Sequence, residues 1–424
     1  MTEQAAAECA EVTLPADDPL GRLATPEGQA DPYPSYRELL RRPILTAAFG
    51  DTRYAVVTRY ADCMAVLGHP QVSSDNRKGS GVAELLTSGT LPRERVAMVQ
   101  RRSFLHLDPP DHTRLRRLVG KAFTPRRVGE LRGEVQRLVD AAIDAVADRG
   151  AMDLVADLAF PLPVRVISGL LGVPAEDHLR LEGWARPQLC CNFQAQADGV
   201  GCQVQEDLEA YFEQQVAEKR RHPGDDLLSE LIAVRDQGDR LTDDELIATA
   251  RLLFVGGHET TVALIANGIL WLLRNPDQLA MLRNAPGLVA GAVEETLRYD
   301  PPFQLVGRTP LQDVDVNGTV ISRDTSVVLL LAAANRDPAQ FPDPDRFDIT
   351  RAPNHHLGFG SGVHACFGGP LARMQGEIAL GTLVRRLVDP RLATDSPPYH
   401  GNAFHALEAL PIAFEGVMTG GRQG

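Results

Sequence analysis

The side chains in this sequence best suited to hold a metal or a buried anion are cysteine, histidine and arginine, and several of them gather near the C-terminal end. His355-His356-Leu357-Gly358-Phe359-Gly360-Ser361-Gly362-Val363-His364-Ala365-Cys366-Phe367-Gly368-Gly369-Pro370 centres on Cys366. Glycines on both sides let the backbone fold tightly around the sulfur, because glycine takes positive φ without a Cβ clash. Pro370 opens a helical pattern carrying Leu371, Met374, Ile378 and Val384, and proline is favoured at the first helical position. A cysteine just ahead of a helix N-terminus feels the positive end of the macrodipole, which favours thiolate over thiol. Three readings follow from these residues alone. Cys366 could be a core residue. Gly360-Ser361-Gly362-Val363-His364-Ala365 fits the nucleotide fingerprint G-x-G-x-x-G/A, but too little chain follows to complete a doubly wound sheet. Zinc could use Cys366 with His355, His356 or His364, although no second cysteine lies near enough for a closed four-ligand site.

A second constellation is Gly256-Gly257-His258-Glu259-Thr260-Thr261. It sits inside a long helical pattern that Thr242-Asp243-Asp244-Glu245 opens as a capping box and Pro276 ends. At 1.5 Å per residue this helix is about 50 Å long, and apolar residues on most faces send it through the core. Each glycine costs a helix about 1 kcal/mol relative to alanine. Polar and helix-weakening residues together in a buried helix predict a distorted turn with a chemical role. The zinc-protease pattern H-E-x-x-H fails, because position 262 is valine. Thr260 could instead bond back to the preceding turn. Elsewhere His112 and Arg116 are four residues apart and share a helix face. Their neighbours Arg114 and Arg117 read as solvated side chains, and Arg126 and Arg127 extend the basic character. Glu295 and Arg298 form an i,i+3 charge pair, with Pro344-Asp345-Arg346-Phe347 downstream.

The elements that must position these groups are mostly helical. A short helix over residues 35–41 precedes two strands, 44–48 and 54–58, around Gly50-Asp51, then a helix over 61–67. Residues 72–107 read as a long loop, a length that in a compact domain tends to mark function or disorder. Helical patterns follow over 127–149, 154–171, 174–184 and 202–220, with the interval 186–201 breaking the last two. Asn317-Gly318 between Val314–Val316 and Thr319–Ile321 is a hairpin signal, and residues 327–331 read as a strand. The chain of 424 residues has no linker, repeat or low-complexity tract, so residues 31–424 are expected as a single domain behind a flexible tail, 1–30. Its 44% hydrophobic and 23% charged residues suit a globular protein with a sizeable core. The N-terminal segment has neither a signal-peptide pattern nor an apolar run long enough to span a bilayer, so a cytoplasmic protein without a membrane anchor is expected. Six scattered cysteines suit a reducing compartment, and the net charge of −13 argues against a nucleic-acid partner.

Phe359-x-x-Gly362-x-His364-x-Cys366-x-Gly368 resembles the haem-binding loop of the cytochrome P450 family, in which the cysteine is the axial iron ligand. Gly256 to Thr260 resembles that family's oxygen-binding groove, and Glu295-Thr296-Leu297-Arg298 with Arg346 its structural network beneath the haem. These motifs occur in the family's order and the resemblance covers residues 31–414, closest to the soluble bacterial branch, such as that of actinomycete secondary metabolism. It implies a mostly α fold with a smaller β-rich lobe. It also implies haem b bound by the Cys366 thiolate, with His112, Arg116, Gly257, Arg308, Phe359, His364 and Gly368 as cofactor contacts and the choice between His355 and His356 open. Glu259 and Thr260 are expected to order water and relay protons. Leu252, Val255, Gly256, Gln304, Val306 and Phe404 are expected in the substrate pocket, and the unit around 186–201 over it. The implied activity inserts one atom of O₂ into a C–H or C=C bond of an apolar small molecule of the polyketide, macrolide or terpenoid kind. Electrons are expected from NAD(P)H through ferredoxin reductase and ferredoxin, the latter docking on Arg114, Arg117, Lys121, Arg126 and Arg127. A peroxide-driven enzyme, or a haem sensor or electron carrier, is the alternative, though Gly256 to Thr260 argues against the sensor.

Overall fold

A computed structural model of the chain describes residues 17–42, 44–49, 52–78, 103–189, 200–235, 238–323, 325–400 and 403–419. In chain order the helices are α1 (Pro19–Arg22), α2 (Pro26–Ala30), α3 (Tyr33–Leu39), α4 (Tyr60–Gly68), α5 (Asp111–Ala122), α6 (Pro125–Glu130), α7 (Arg132–Asp144), α8 (Pro161–Leu171), α9 (His178–Leu189) and α10 (Val200–Arg221). They continue as α11 (Leu227–Ala233), α12 (Asp243–Arg274), α13 (Pro276–Asn284), α14 (Val289–Tyr299), α15 (Leu331–Ala334) and α16 (Gly369–Arg386). The architecture is mostly α with small sheets, as the sequence predicts.

The fold is built round α12. Its N-terminus is closed by the predicted capping box: Thr242 Oγ1 accepts the Glu245 N–H at 3.3 Å and Glu245 Oε2 accepts the Thr242 N–H at 2.9 Å. Apolar residues occur all round the helix, so it can be satisfied only by burial on several sides, and it packs against α8, α10, α14 and α16. It is also the one described helix long and apolar enough to cross a membrane, and most of it is buried inside the protein. Contrary to the expected distortion, α12 runs without a break through Gly256 and Gly257. The weakness shows only in side chains: Thr260 and Thr261 donate to the carbonyls of Gly256 and Gly257 at 3.2 and 3.3 Å.

The β-rich lobe is a five-stranded sheet of β1 (Leu45–Phe49), β2 (Thr52–Val57), β8 (Thr325–Leu329), β5 (Val306–Pro310) and β3 (Val72–Ser73), in that spatial order. β8 pairs parallel with β2 and antiparallel with β5, opposing Arg308 to Val327. The strand β4 (Ala151–Asp153) joins Arg391–Leu392 and Pro411–Ala413 in a second sheet. β6 (Val314–Val316) and β7 (Thr319–Ile321) form the predicted hairpin, with Asn317 and Gly318 at φ 49° and 88°, the positive pair a two-residue turn of this hand requires.

Two further expectations differ from the structure. Residues 19–30, read as tail, form α1 and α2, capped by the side chains of Asp18 and Thr25; residues 1–16 lie outside the described residues. The single helices expected over 127–149 and 154–171 are interrupted. The first becomes α6, α7 and a short 3₁₀ turn, and the second starts as a π-turn in which the Phe160 N–H reaches the Val155 carbonyl at 2.9 Å. Pro161 and Pro163, without N–H groups, cannot extend an ordinary ladder back across that point. Most of the loop at 72–107 and residues 190–199 within the 186–201 unit lie outside the described residues.

Candidate active site

Cys366 lies on a loop stitched to itself by its own backbone. Its N–H donates to the Phe359 carbonyl at 2.8 Å, and a 3₁₀ turn over Gly362–His364 closes the inside of the loop. Gly360 and Gly362 take φ of 65° and 72°, where a side chain would be strained, and a Cβ at Gly362 would lie 3.0 Å from the Leu67 carbonyl oxygen. The Cys366 side chain is exposed although protein packs round it on most sides. Burial pushes its thiol up, while N–H groups of Gly368 and Gly369 and the cations Arg116 and Arg373 pull it back. The expected helix-terminus effect is therefore outweighed by desolvation. A metal at the sulfur would reverse this, because coordination deprotonates a thiol outright.

Four cation-capable side chains converge beside the loop. The rings of His112 and His364 lie 4.3 Å apart between centroids. Neither ring nitrogen of the buried His112 has a hydrogen-bond partner. Arg116 donates to the Ala365 carbonyl at 2.7 Å, and Arg308 to that of Gly307 at 2.7 Å. Burial, with the fields of His112 and Arg308, pushes His364 down to about 4. Desolvation, then Arg116, lowers His112, and desolvation lowers Arg116 and Arg308. Clustered donors with orphaned nitrogens and, among the described residues, no facing carboxylate beyond Asp108 suit an anion. Propionates of a haem bound through Cys366 supply that charge, so these residues fit the cofactor that the loop implies.

Other candidate residues lie on the middle of α12, where a ligand chamber is expected. Gly256 is exposed there, Leu252, Val255 and Thr260 are half-buried, and the helix from Thr261 to Leu270 is buried throughout. The opening is thus confined to one face near the middle of the helix. Glu259 is buried, and its Oε1 has no partner; burial raises its carboxyl to about 7. His258, 0% exposed, is held neutral by burial, down to about 4, with Nδ1 against the Phe254 carbonyl at 2.8 Å. Val306 in β5 is half-buried, and Phe404 packs edge-on against Phe303 at 4.6 Å.

Several sequence expectations need correction. Gly257 does not face the chamber: a Cβ there would meet Ile167 of α8 at 3.2 Å, so it lets two helices approach, and the open position is Gly256. Gln304 is 2% exposed and its amide is engaged on both ends, donating to the Pro301 carbonyl at 2.7 Å and accepting from Tyr36 at 3.0 Å. It braces α3 and does not present itself to a ligand. Glu295 and Arg298 form a fully buried bidentate pair at 2.7 and 2.8 Å. The second arginine on that carboxylate is Arg351, at 3.3 Å, and not Arg346. Arg346 follows a turn at Asp343, φ 46°, that leaves its side chain exposed and gives only its carbonyl to Arg298. No spacing rule singled out Arg351. His355 is exposed and gives its carbonyl to Tyr60, whereas His356 bonds Glu294. Among the described residues no three His, Cys, Asp or Glu side chains gather into a metal site, which removes the zinc reading, and the small sheets remove the nucleotide reading.

A glycine-rich loop that carries a cysteine, with cation-capable side chains beside it in a mostly helical fold, is the arrangement a haem-thiolate protein requires. A family profile described as Cytochrome P450 matches residues 202–398. The chain is 41% identical over 411 residues to the cytochrome P450 monooxygenase PikC of Streptomyces venezuelae, covering 93% of this chain and 94% of that protein. It is 38% identical over 402 residues to cytochrome P450 CYP107DY1 of Priestia megaterium, covering 92% and 98%. Its fold matches the crystal structure of P450BioI in complex with an acyl carrier protein ligated to hexadec-9Z-enoic acid, with TM-score 0.83, 36% identity and coverage of 92% and 99%. The chain belongs to the cytochrome P450 family and is an oxidoreductase of the monooxygenase kind.

Proposed function

We propose that the protein inserts one oxygen atom from O₂ into a C–H or C=C bond of an apolar small molecule, of the polyketide, macrolide or terpenoid kind, in secondary metabolism. The observation that carries this reading is the half-open face of α12, apolar at Leu252, Val255 and Gly256 and polar at Thr260, with the buried Glu259 next to it. Ligand chambers of this composition hold a substrate by its shape and reserve polar groups for orientation or chemistry. Similarity to a protein solved with a fatty-acyl carrier protein supports an extended apolar substrate.

Haem b, when bound through the Cys366 thiolate, would supply the redox chemistry and oxygen activation. The chain's own part is binding and proton handling. Cys366 would ligate the iron; His112, Arg116, Arg308 and His364 would bind the propionates; Phe359 and Gly368 would line the sulfur side. Glu259, with a carboxyl near neutrality, would move a proton toward the chamber, and Thr260, bonded to Gly256, would present its hydroxyl there. Electrons would come from NAD(P)H through ferredoxin reductase and ferredoxin, in the cytoplasm.

A compound screen for Soret shifts should yield a ligand that is turned over with ferredoxin, its reductase and NADPH, with one labelled atom from ¹⁸O₂ in the product. Turnover with hydrogen peroxide alone and none with the redox partners would favour the peroxide-driven alternative. No product from any binding compound under either regime would favour a sensor or electron carrier.

A further inference from the structure

Seven residues after Cys366, in the first turns of α16, Arg373 makes a set of contacts that the site as described leaves unused. Its guanidinium carbon lies 4.4 Å from the centroid of the Phe359 ring. Nε and Nη2 donate to the two oxygens of Glu294, on α14, at 2.7 and 3.0 Å. Glu294 also pairs with His356 Nε2 at 3.1 Å, while Nδ1 of that ring accepts the Gly358 N–H at 3.1 Å. With Nδ1 accepting, Nε2 is the nitrogen that carries the donated proton. Burial pushes the Glu294 carboxyl up, but bonds from His356 and Arg373 overcome it and hold the group at about 2. The carboxylate is therefore charged. A Cβ at Gly369 would come within 3.3 Å of Arg373 Nη1 and 4.0 Å of Phe359, so glycine there leaves room for the cation on the ring. Phe359 in turn accepts the Cys366 N–H, and the fields of Arg373 and Cys366 act on each other.

A half-exposed arginine on this side of the molecule invites the reading of a docking cation. Two of its three nitrogens are committed, however: a bidentate carboxylate holds the guanidinium flat, and the aromatic face below accepts it by cation–π attraction. We propose that Arg373, Glu294 and His356 are positioning residues that press Phe359 against the Cys366 loop and set the electric field at the sulfur, and thereby the reduction potential of the iron it ligates. This rests on the haem-thiolate reading of Cys366. A positive charge beside the thiolate favours the reduced iron, which carries one charge less, and a negative charge opposes it.

The two partners must then act with opposite sign. In a chemical titration of the haem-loaded protein, with no partner protein present, Arg373→Gln is expected to lower the reduction equilibrium constant about tenfold, roughly 59 mV for a one-electron couple. Glu294→Gln is expected to raise it by a similar factor, and the double variant to return within about threefold of wild type. Both single variants shifting the same way, or neither moving more than twofold, overturns the proposal; a docking or purely structural role predicts one of those results. Should a neutral variant fail to load haem, Arg373→Lys keeps the charge but loses the fork and the stacking. It is expected to lower the constant by more than twofold yet less than tenfold, and an unshifted value overturns the proposal. The wild-type ferrous carbonyl band tests the haem-thiolate reading by itself, so the two failures are distinguishable.

Discussion

Glu259 and Cys366 are the residues whose environments do most to decide the chemistry. The carboxyl of Glu259 has no partner for Oε1 and is raised to about 7 by burial, whereas in the unfolded chain it titrates near 4.3. Between those two values the folded state binds more protons than the unfolded state, so this group's contribution to stability falls as pH rises from about 4 to 7 and is flat above. Glu259→Gln removes the dependence. Relative to wild type, the variant should gain on the order of 3 kcal/mol between pH 4 and pH 8, measured as urea unfolding of both proteins at each pH; parallel pH profiles would show that Glu259 does not titrate this way. For Cys366, the ferrous carbonyl complex should show the red-shifted Soret band of a thiolate, and Cys366→His should abolish it. An unshifted wild-type band would remove the thiolate. Thr260→Ala should keep haem and ligand binding yet divert electrons to peroxide, and unchanged coupling would take Thr260 out of the proton path.

At the scale of elements, the site depends on α14 and α16 holding the Cys366 loop between them. The Glu295–Arg298 pair on α14 is wholly buried and accepts further bonds from the Asp348 N–H, Asn354 and Arg351. Removing one partner of a buried pair leaves an unpaired charge and costs about 3–5 kcal/mol, so Arg298→Met should lower unfolding stability by that order and with it haem retention. Gly358→Ala tests the loop's seat on α14, because a Cβ would lie 2.6 Å from the Leu297 carbonyl oxygen, a backbone atom that cannot swing aside; a lower melting temperature and poor haem incorporation are expected. The sequence made this level legible where a local rule fixes it. The capping box of α12, the Asn317-Gly318 hairpin and the Gly-rich cysteine loop each follow from neighbours in the chain. Arg351, Gln304 and Gly257 escaped because their roles depend on what the fold brings opposite them: Glu295 from another helix, Tyr36 from α3, Ile167 from α8. Period and spacing carry no such information, and the motif around Arg346 pointed to a residue only five positions from the one that pairs.

For the whole molecule the open matter is how electrons arrive at a protein of net charge −13. An acidic ferredoxin would be repelled at long range and must find a local basic face. The helix α5 lies against the Cys366 loop, through the bond from Arg116 to Ala365 and at Gly120, where a Cβ would lie 3.9 Å from the Phe367 ring. The sequence offers Arg114, Arg117, Lys121, Arg126 and Arg127 there, but the structure divides them. Arg114 binds Asp239 and Glu245, and Arg127 binds Asp225 and Glu230; these two brace α5 and α6 to the segments before α12 and are already neutralised. Arg117 and Lys121 are exposed but have partners of their own, and Arg126 is 86% exposed with Glu130 at 3.7 Å. As exposed cations on this face, Arg117 and Arg126 are the test: Arg117→Glu with Arg126→Glu is expected to slow reduction by ferredoxin about tenfold at low ionic strength and to flatten its salt dependence, because screening removes only charge–charge attraction. Ligand binding by Soret shift should not change. Arg114→Gln should instead lower the melting temperature while the salt dependence of reduction stays that of wild type. Equal reduction rates for Arg117→Glu with Arg126→Glu and for wild type across ionic strength would place the electron donor on another face.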